Sequence, residues 1–96
     1  MAFMSGRVLW IWEEDECLAL RAALAKHNAY RPMPERITQR RIATELGVTP
    51  ATINAYFGGR RALGIEVALA VLKLTGIPVE QFSQRLADEI RYKACP

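Results

Sequence analysis

Between Thr38 and Arg61 the chain reads TQRRIATELGVTPATINAYFGGRR, and this stretch leaves few ways to fold. Gly47 divides it. Before the glycine, Ile42, Ala43 and Leu46 recur at three- and four-residue spacing, which marks a helix with one apolar stripe. Thr38 is a good N-cap, so this helix is expected over about Gln39 to Leu46. Gly47 can adopt the left-handed conformation that ends it. Val48 is expected to plug the core. Thr49 then caps another helix, and Pro50 stands at its first position, where a missing N–H is no loss. That helix is expected to run to about Phe57, with Ile53 and Tyr56 (or Phe57) inward, and Gly58-Gly59 stops it. Small Ala43 lies where the two helices meet. Two short helices joined by a tight turn make a helix-turn-helix.

The rest of the chain reads as further helix. Glu13, Glu14, Asp15 and Glu16 open a helix expected to run to about Asn28, with the acids where the helix dipole favours them. Cys17, Leu20 and Leu24 make its apolar stripe. Arg31-Pro32-Met33-Pro34 breaks helix and favours extended backbone over 29–37. A fourth helix is expected over about Ile65 to Leu74, with Ala68, Leu69 and Leu72 facing the core. Gly76 and Pro78 close it. Val79 to Phe82 is expected to form a turn of helix. A last helix follows over about Ser83 to Tyr92, with Leu86 and Ile90 on one face. Residues 1–12 form an arm whose β-prone VLWIW (8–12) fits a short strand, a dimer contact or an arm folded onto the core. Residues 13–96 are the domain. With 96 residues, 51% of them apolar, one all-α, five-helix core is the expected architecture.

Charge is uneven. Residues 1–30 sum to −1, residues 31–61 to +4 and residues 62–96 to zero, which makes the net +3. The excess sits on the helix-turn-helix and suits a polyanionic partner. In such a motif the second helix enters the DNA major groove, and its N-terminal half meets the base edges. Thr49, Pro50, Ala51, Thr52, Asn54 and Ala55 face outward there. Asn54 can pair with adenine, the alanines can pack on thymine methyls, and the threonines offer hydroxyls. Gln39 opens the preceding helix, where backbone N–H groups attract a phosphate. Arg40, Arg60 and Arg61 supply charge-assisted backbone contacts, or a base contact at the edge of the site.

Other functions find little footing. The single histidine, His27, has no acid or nucleophile patterned with it, and it reads as a surface or boundary residue. Cys17 and Cys95 lack metal-ligand spacing; a buried Cys17 and a free tail thiol are expected. No Gly-rich phosphate loop or paired carboxylate site appears, so neither an enzyme nor a cofactor is expected. There is no secretory signal and no apolar stretch near the ~20 residues of a membrane helix, which points to the cytoplasm.

These residues carry a resemblance. QRRIATELGV (39–48), FGGRRAL (57–63), ALAVLKLTGIPVEQFS (68–83) and RLADEI (85–90) are similar to the lambda-repressor-like DNA-binding domains. That group includes phage repressors, Cro-type proteins and the xenobiotic-response-element regulators, and the likeness to the N-terminal domain of lambda-type phage repressors runs from Thr38 to about Ile90. The resemblance implies a five-helix domain that binds a pseudo-palindromic operator as a homodimer. It implies that Gln39 and the start of the second motif helix touch DNA, and that the final helix, with Leu86 and Ile90, pairs two subunits. Where the family pattern has a glutamine-serine pair, this chain has Pro50-Ala51, so those polar base contacts do not carry over. The loop at 29–37 is longer than usual. Ending at Pro96, the chain is expected to be a stand-alone phage or prophage repressor or a Cro-like protein, without a self-cleaving half. The alternative is an antitoxin-type autoregulator that holds a protein partner through its VLWIW arm.

Overall fold

A computed structural model of the protein describes residues 9–94. Val8 of the arm and Cys95 lie outside the described residues. Five α-helices follow one another: α1 (Ile11–Asn28), α2 (Gln39–Leu46), α3 (Pro50–Phe57), α4 (Ile65–Thr75) and α5 (Gln84–Ala94). There is no strand among the described residues.

Local chemistry sets the helix ends. Thr38 Oγ1 accepts the Arg41 N–H at 3.1 Å and so caps α2. Gly47 closes that helix at φ 72°, with its N–H on Thr44 and the Val48 N–H on the Ala43 carbonyl at 3.0 Å. This left-handed closure brings α3 back across α2. α1 begins at Ile11, two residues before the first acid, because the Glu13 carboxylate accepts the Trp10 N–H at 2.8 Å. Between α1 and α2 the chain is extended at Pro32 and Arg36, but Met33–Glu35 makes one turn of 3-10 helix where extended backbone was expected. Asn28 clasps this long loop: its Nδ2 donates to the Ile37 carbonyl at 2.9 Å, and its Oδ1 accepts the Ile37 N–H at 3.0 Å.

The core is one cluster. Cys17, Leu20, Ile42, Ile53, Val67, Val71 and Leu86 are sealed within it, drawn from all five helices. α2 packs on α3 and α4, α1 on α3, and α4 on α5. A second turn of 3-10 helix at Val79–Gln81 leads to Ser83, whose Oγ accepts the Leu86 N–H at 3.1 Å and caps α5. The same hydroxyl donates to Glu16 on α1 at 2.7 Å. Arg85 grips that carboxylate with two N–H groups, the shorter contact being 2.8 Å, and its guanidinium lies over the Trp12 ring. The start of α1 is thereby fastened to the start of α5.

Three residues expected inward, Val48, Leu69 and Leu72, lie outward, and of the two aromatics offered at the end of α3 it is Phe57 that is buried. Val48 is 39% exposed: as the residue after a left-handed glycine it covers the end of α2 and does not enter the core. In α3 the inward aromatic is Phe57, one helical turn after Ile53, while Tyr56 is half-buried. In α4 Ala68 is buried as expected, but Leu69 and Leu72 are 42% and 40% exposed, and Val67, Ala70 and Val71 fill the core instead. IEVALAVLKLT is apolar on almost every side, so spacing alone could not choose its inward face. Leu86 is only 1% exposed, so the chain's own core takes it and it is not open to a second subunit.

Candidate nucleic-acid interface

The outward face of α3 is open. Thr49, Pro50, Ala51 and Asn54 are exposed, and Thr52 and Ala55 are half-buried along its flanks. Thr49 Oγ1 accepts the Thr52 N–H at 3.2 Å and lies 3.0 Å from the Thr52 hydroxyl. The two hydroxyls thus hold each other at the start of the helix. Gln39, half-buried, opens α2, and Arg40 beside it is exposed. Small side chains at Ala51 and Ala55 let the helix axis come close to a surface, and Asn54 is the polar side chain at the middle of this exposed face.

The cations beside it are held in place by the backbone. After α3, Gly59 at φ 73° turns the chain, and the Arg60 N–H returns to the Ala55 carbonyl at 2.9 Å. Arg60 Nη2 donates to Asn54 Oδ1 at 2.9 Å. Arg61 lies over the Tyr56 ring, its guanidinium carbon 5.3 Å from the centroid. The basic loop is tied at two points: the buried Cys17 of α1 donates through Sγ to the Arg61 carbonyl at 3.3 Å, and the exposed Arg85 of α5 donates through Nη2 to the Leu63 carbonyl at 3.4 Å. A loop fixed in this way presents its cations with little further loss of conformational entropy on binding.

Arg21 joins this surface although the sequence reading left it out. It is exposed on α1 and lines one recess with Gln39, Asn54, Phe57 and Gly58. Its place beside the acid-rich start of α1 hid it. The available signal was its position next to Leu20, which sets it on the flank of the buried stripe.

An open helix of small and polar residues, mounted on a helix-turn-helix, with Arg21, Arg40, Arg60 and Arg61 also exposed, defines a DNA-binding domain. A family profile described as helix-turn-helix, of the Cro/C1 type, matches residues 34–82, just over half of the chain. The chain belongs to that family of DNA-binding transcriptional regulators, and the lambda-repressor-like fold expected from sequence is the fold observed. No curated protein matches the chain significantly. No helix among the described residues is long and apolar enough to cross a membrane.

Proposed function

We propose that the protein is a transcriptional repressor of the phage or prophage kind, which occupies a pseudo-palindromic operator as a homodimer. The observation that carries this reading is the exposed face of α3 with Arg21, Arg60 and Arg61 beside it and Arg40 exposed at the start of α2. Gln39, Thr49, Pro50, Ala51, Thr52, Asn54 and Ala55 meet the groove, and the arginines hold the backbone on either side of it. Arg60 also has a part in reading bases. Pairing of subunits falls to Ile90, which is half-buried and lines a mainly apolar groove with Leu69, Leu72, Pro78 and Ala87, bordered by the Glu80–Arg91 ion pair.

Selection of bound duplexes from a random library tests the reading, followed by affinity on the winner at several salt concentrations. A palindromic winner is expected. With three or four phosphate-binding arginines per subunit, log affinity should fall against log salt with a slope of about −5 to −7. A winner without symmetry, bound by one chain, would remove the homodimer. A slope near zero would remove the arginines' role.

The exposed Trp10 and Ile11 favour a second reading, an autoregulator that also holds a protein partner at the start of α1. Co-purification of a second small protein, lost on replacing Trp10 and Ile11 with serine, would distinguish it.

A further inference from the structure

We propose that Asn54 and Arg60 act as one recognition unit that reads a guanine in each half-site, and not the adenine that a lone outward asparagine selects. The proposal rests on the DNA-binding reading above and adds the base that one position of the operator must carry.

The argument starts from the bond between them. A guanidinium has donors only, so the amide oxygen of Asn54 must be the atom that faces Arg60 Nη2 at 2.9 Å. The amide nitrogen, with its two hydrogens, is then turned away from the arginine. The backbone holds this arrangement. The Gly59 N–H bonds the Tyr56 carbonyl at 3.2 Å and the Arg60 N–H bonds the Ala55 carbonyl at 2.9 Å, which sets the root of Arg60 beside the last turn of α3. Gly58 supplies the space. A Cβ at that position would lie 2.7 Å from Arg60 Nη1, so the guanidinium occupies the room that a side chain there would fill.

The pairing changes what Asn54 can read. Adenine is read by an amide that accepts from its N6 amino group and donates to N7. Here the accepting atom is engaged. Its remaining lone pair is flanked by cationic N–H donors, and these repel an incoming amino group. The atoms left to the groove are the Asn54 Nδ2 hydrogens and the unused guanidinium hydrogens, all of them donors. In the major groove guanine alone presents two adjacent acceptors, N7 and O6, on one base. A donor-only unit therefore selects guanine.

The test is library selection with the wild-type chain, Arg60→Ala and Gly58→Ala, with melting curves to verify that each variant is folded. Gly58→Ala keeps both reading side chains and every charge. Its φ of −87° suits alanine; the new methyl displaces the flexible guanidinium end of Arg60, and beside it only the Asn54 backbone carbonyl, at 3.1 Å, has to give slightly. The expected result is one wild-type position per half-site with guanine preferred over adenine by about tenfold or more. Both variants should lose that preference there and admit adenine, with the other positions unchanged. The proposal is overturned if Arg60→Ala alters no position, if the position it alters is not guanine in the wild type, or if Gly58→Ala retains the guanine. Failure of the wild type to enrich any sequence would instead remove the operator-binding reading, and the proposal with it.

Discussion

Cys17 shows how one buried side chain serves the interface from the far side of the core. It has no exposed surface, and its thiol bonds the Arg61 carbonyl, so it fixes the basic loop without touching a ligand. Burial raises its pKa above the ordinary thiol value, and the charges of Glu16, Glu13 and Glu14 raise it further. In the unfolded chain the thiol ionises near pH ~8.5. Above that pH the unfolded state releases a proton that the folded state keeps. This contribution to stability is therefore complete below about pH 8.5 and is lost as pH climbs toward the folded pKa. Urea unfolding at several pH values from 8 upward should show Cys17→Ala losing stability less steeply than the parent; parallel curves would refute the account. In the native protein, peptide mapping should find Cys17 alkylated at least about a hundredfold more slowly than in urea, since reaction waits on local opening.

At the scale of the element, the helix-turn-helix is set by its caps. Thr38, Thr49, Gly47 and Gly59 each act within a few residues of their own position, and that is why they were legible in the sequence. Gly47 permits a direct measurement. Its φ is 72° and an added Cβ would meet nothing within 4 Å, so Gly47→Ala tests the backbone alone. A cost of about 1–2 kcal/mol is expected in denaturant unfolding with an unchanged slope; a neutral result would mean that the turn is not held in the left-handed region. Other features depend on which face a helix turns inward, and local pattern did not carry that. Leu69 and Leu72 share their spacing with Ala68 yet lie outward, because Val67, Ala70 and Val71 take the place against the core. Arg21 joins the candidate surface only because α1 packs on α3. The Asn54–Arg60 bond spans a glycine turn whose path is set by hydrogen bonds back into α3. The motif and most candidate contacts were thus readable from local chemistry, and the tertiary couplings between them were not.

At the scale of the molecule, the proposed reading and the proposed pairing fall to different elements. α2, α3 and the basic loop carry the polar surface, while α4 and α5 border the groove lined by Leu69, Leu72, Pro78, Val79, Ala87 and Ile90. This separation makes the dimer testable without touching DNA contacts. One short helix reads only a few base pairs, so a single domain on a half-site gains little discrimination over random sequence. Two domains on one operator bind with the second held at high effective concentration by the first, even when the contact between them is weak. A like charge on both subunits at that contact removes the gain. Ile90→Glu does this where the side chain is half-buried, and Leu69→Glu does it from a position already 42% exposed, which keeps any cost in folding small. Each variant should bind an isolated half-site as the parent does and bind the full operator at least about tenfold more weakly. Sedimentation on the full duplex should show one chain where the parent shows two. Equal loss on the half-site and the operator would mean that the groove supports the fold of each subunit and that pairing lies elsewhere, with the exposed Trp10 and Ile11 the next surface to alter.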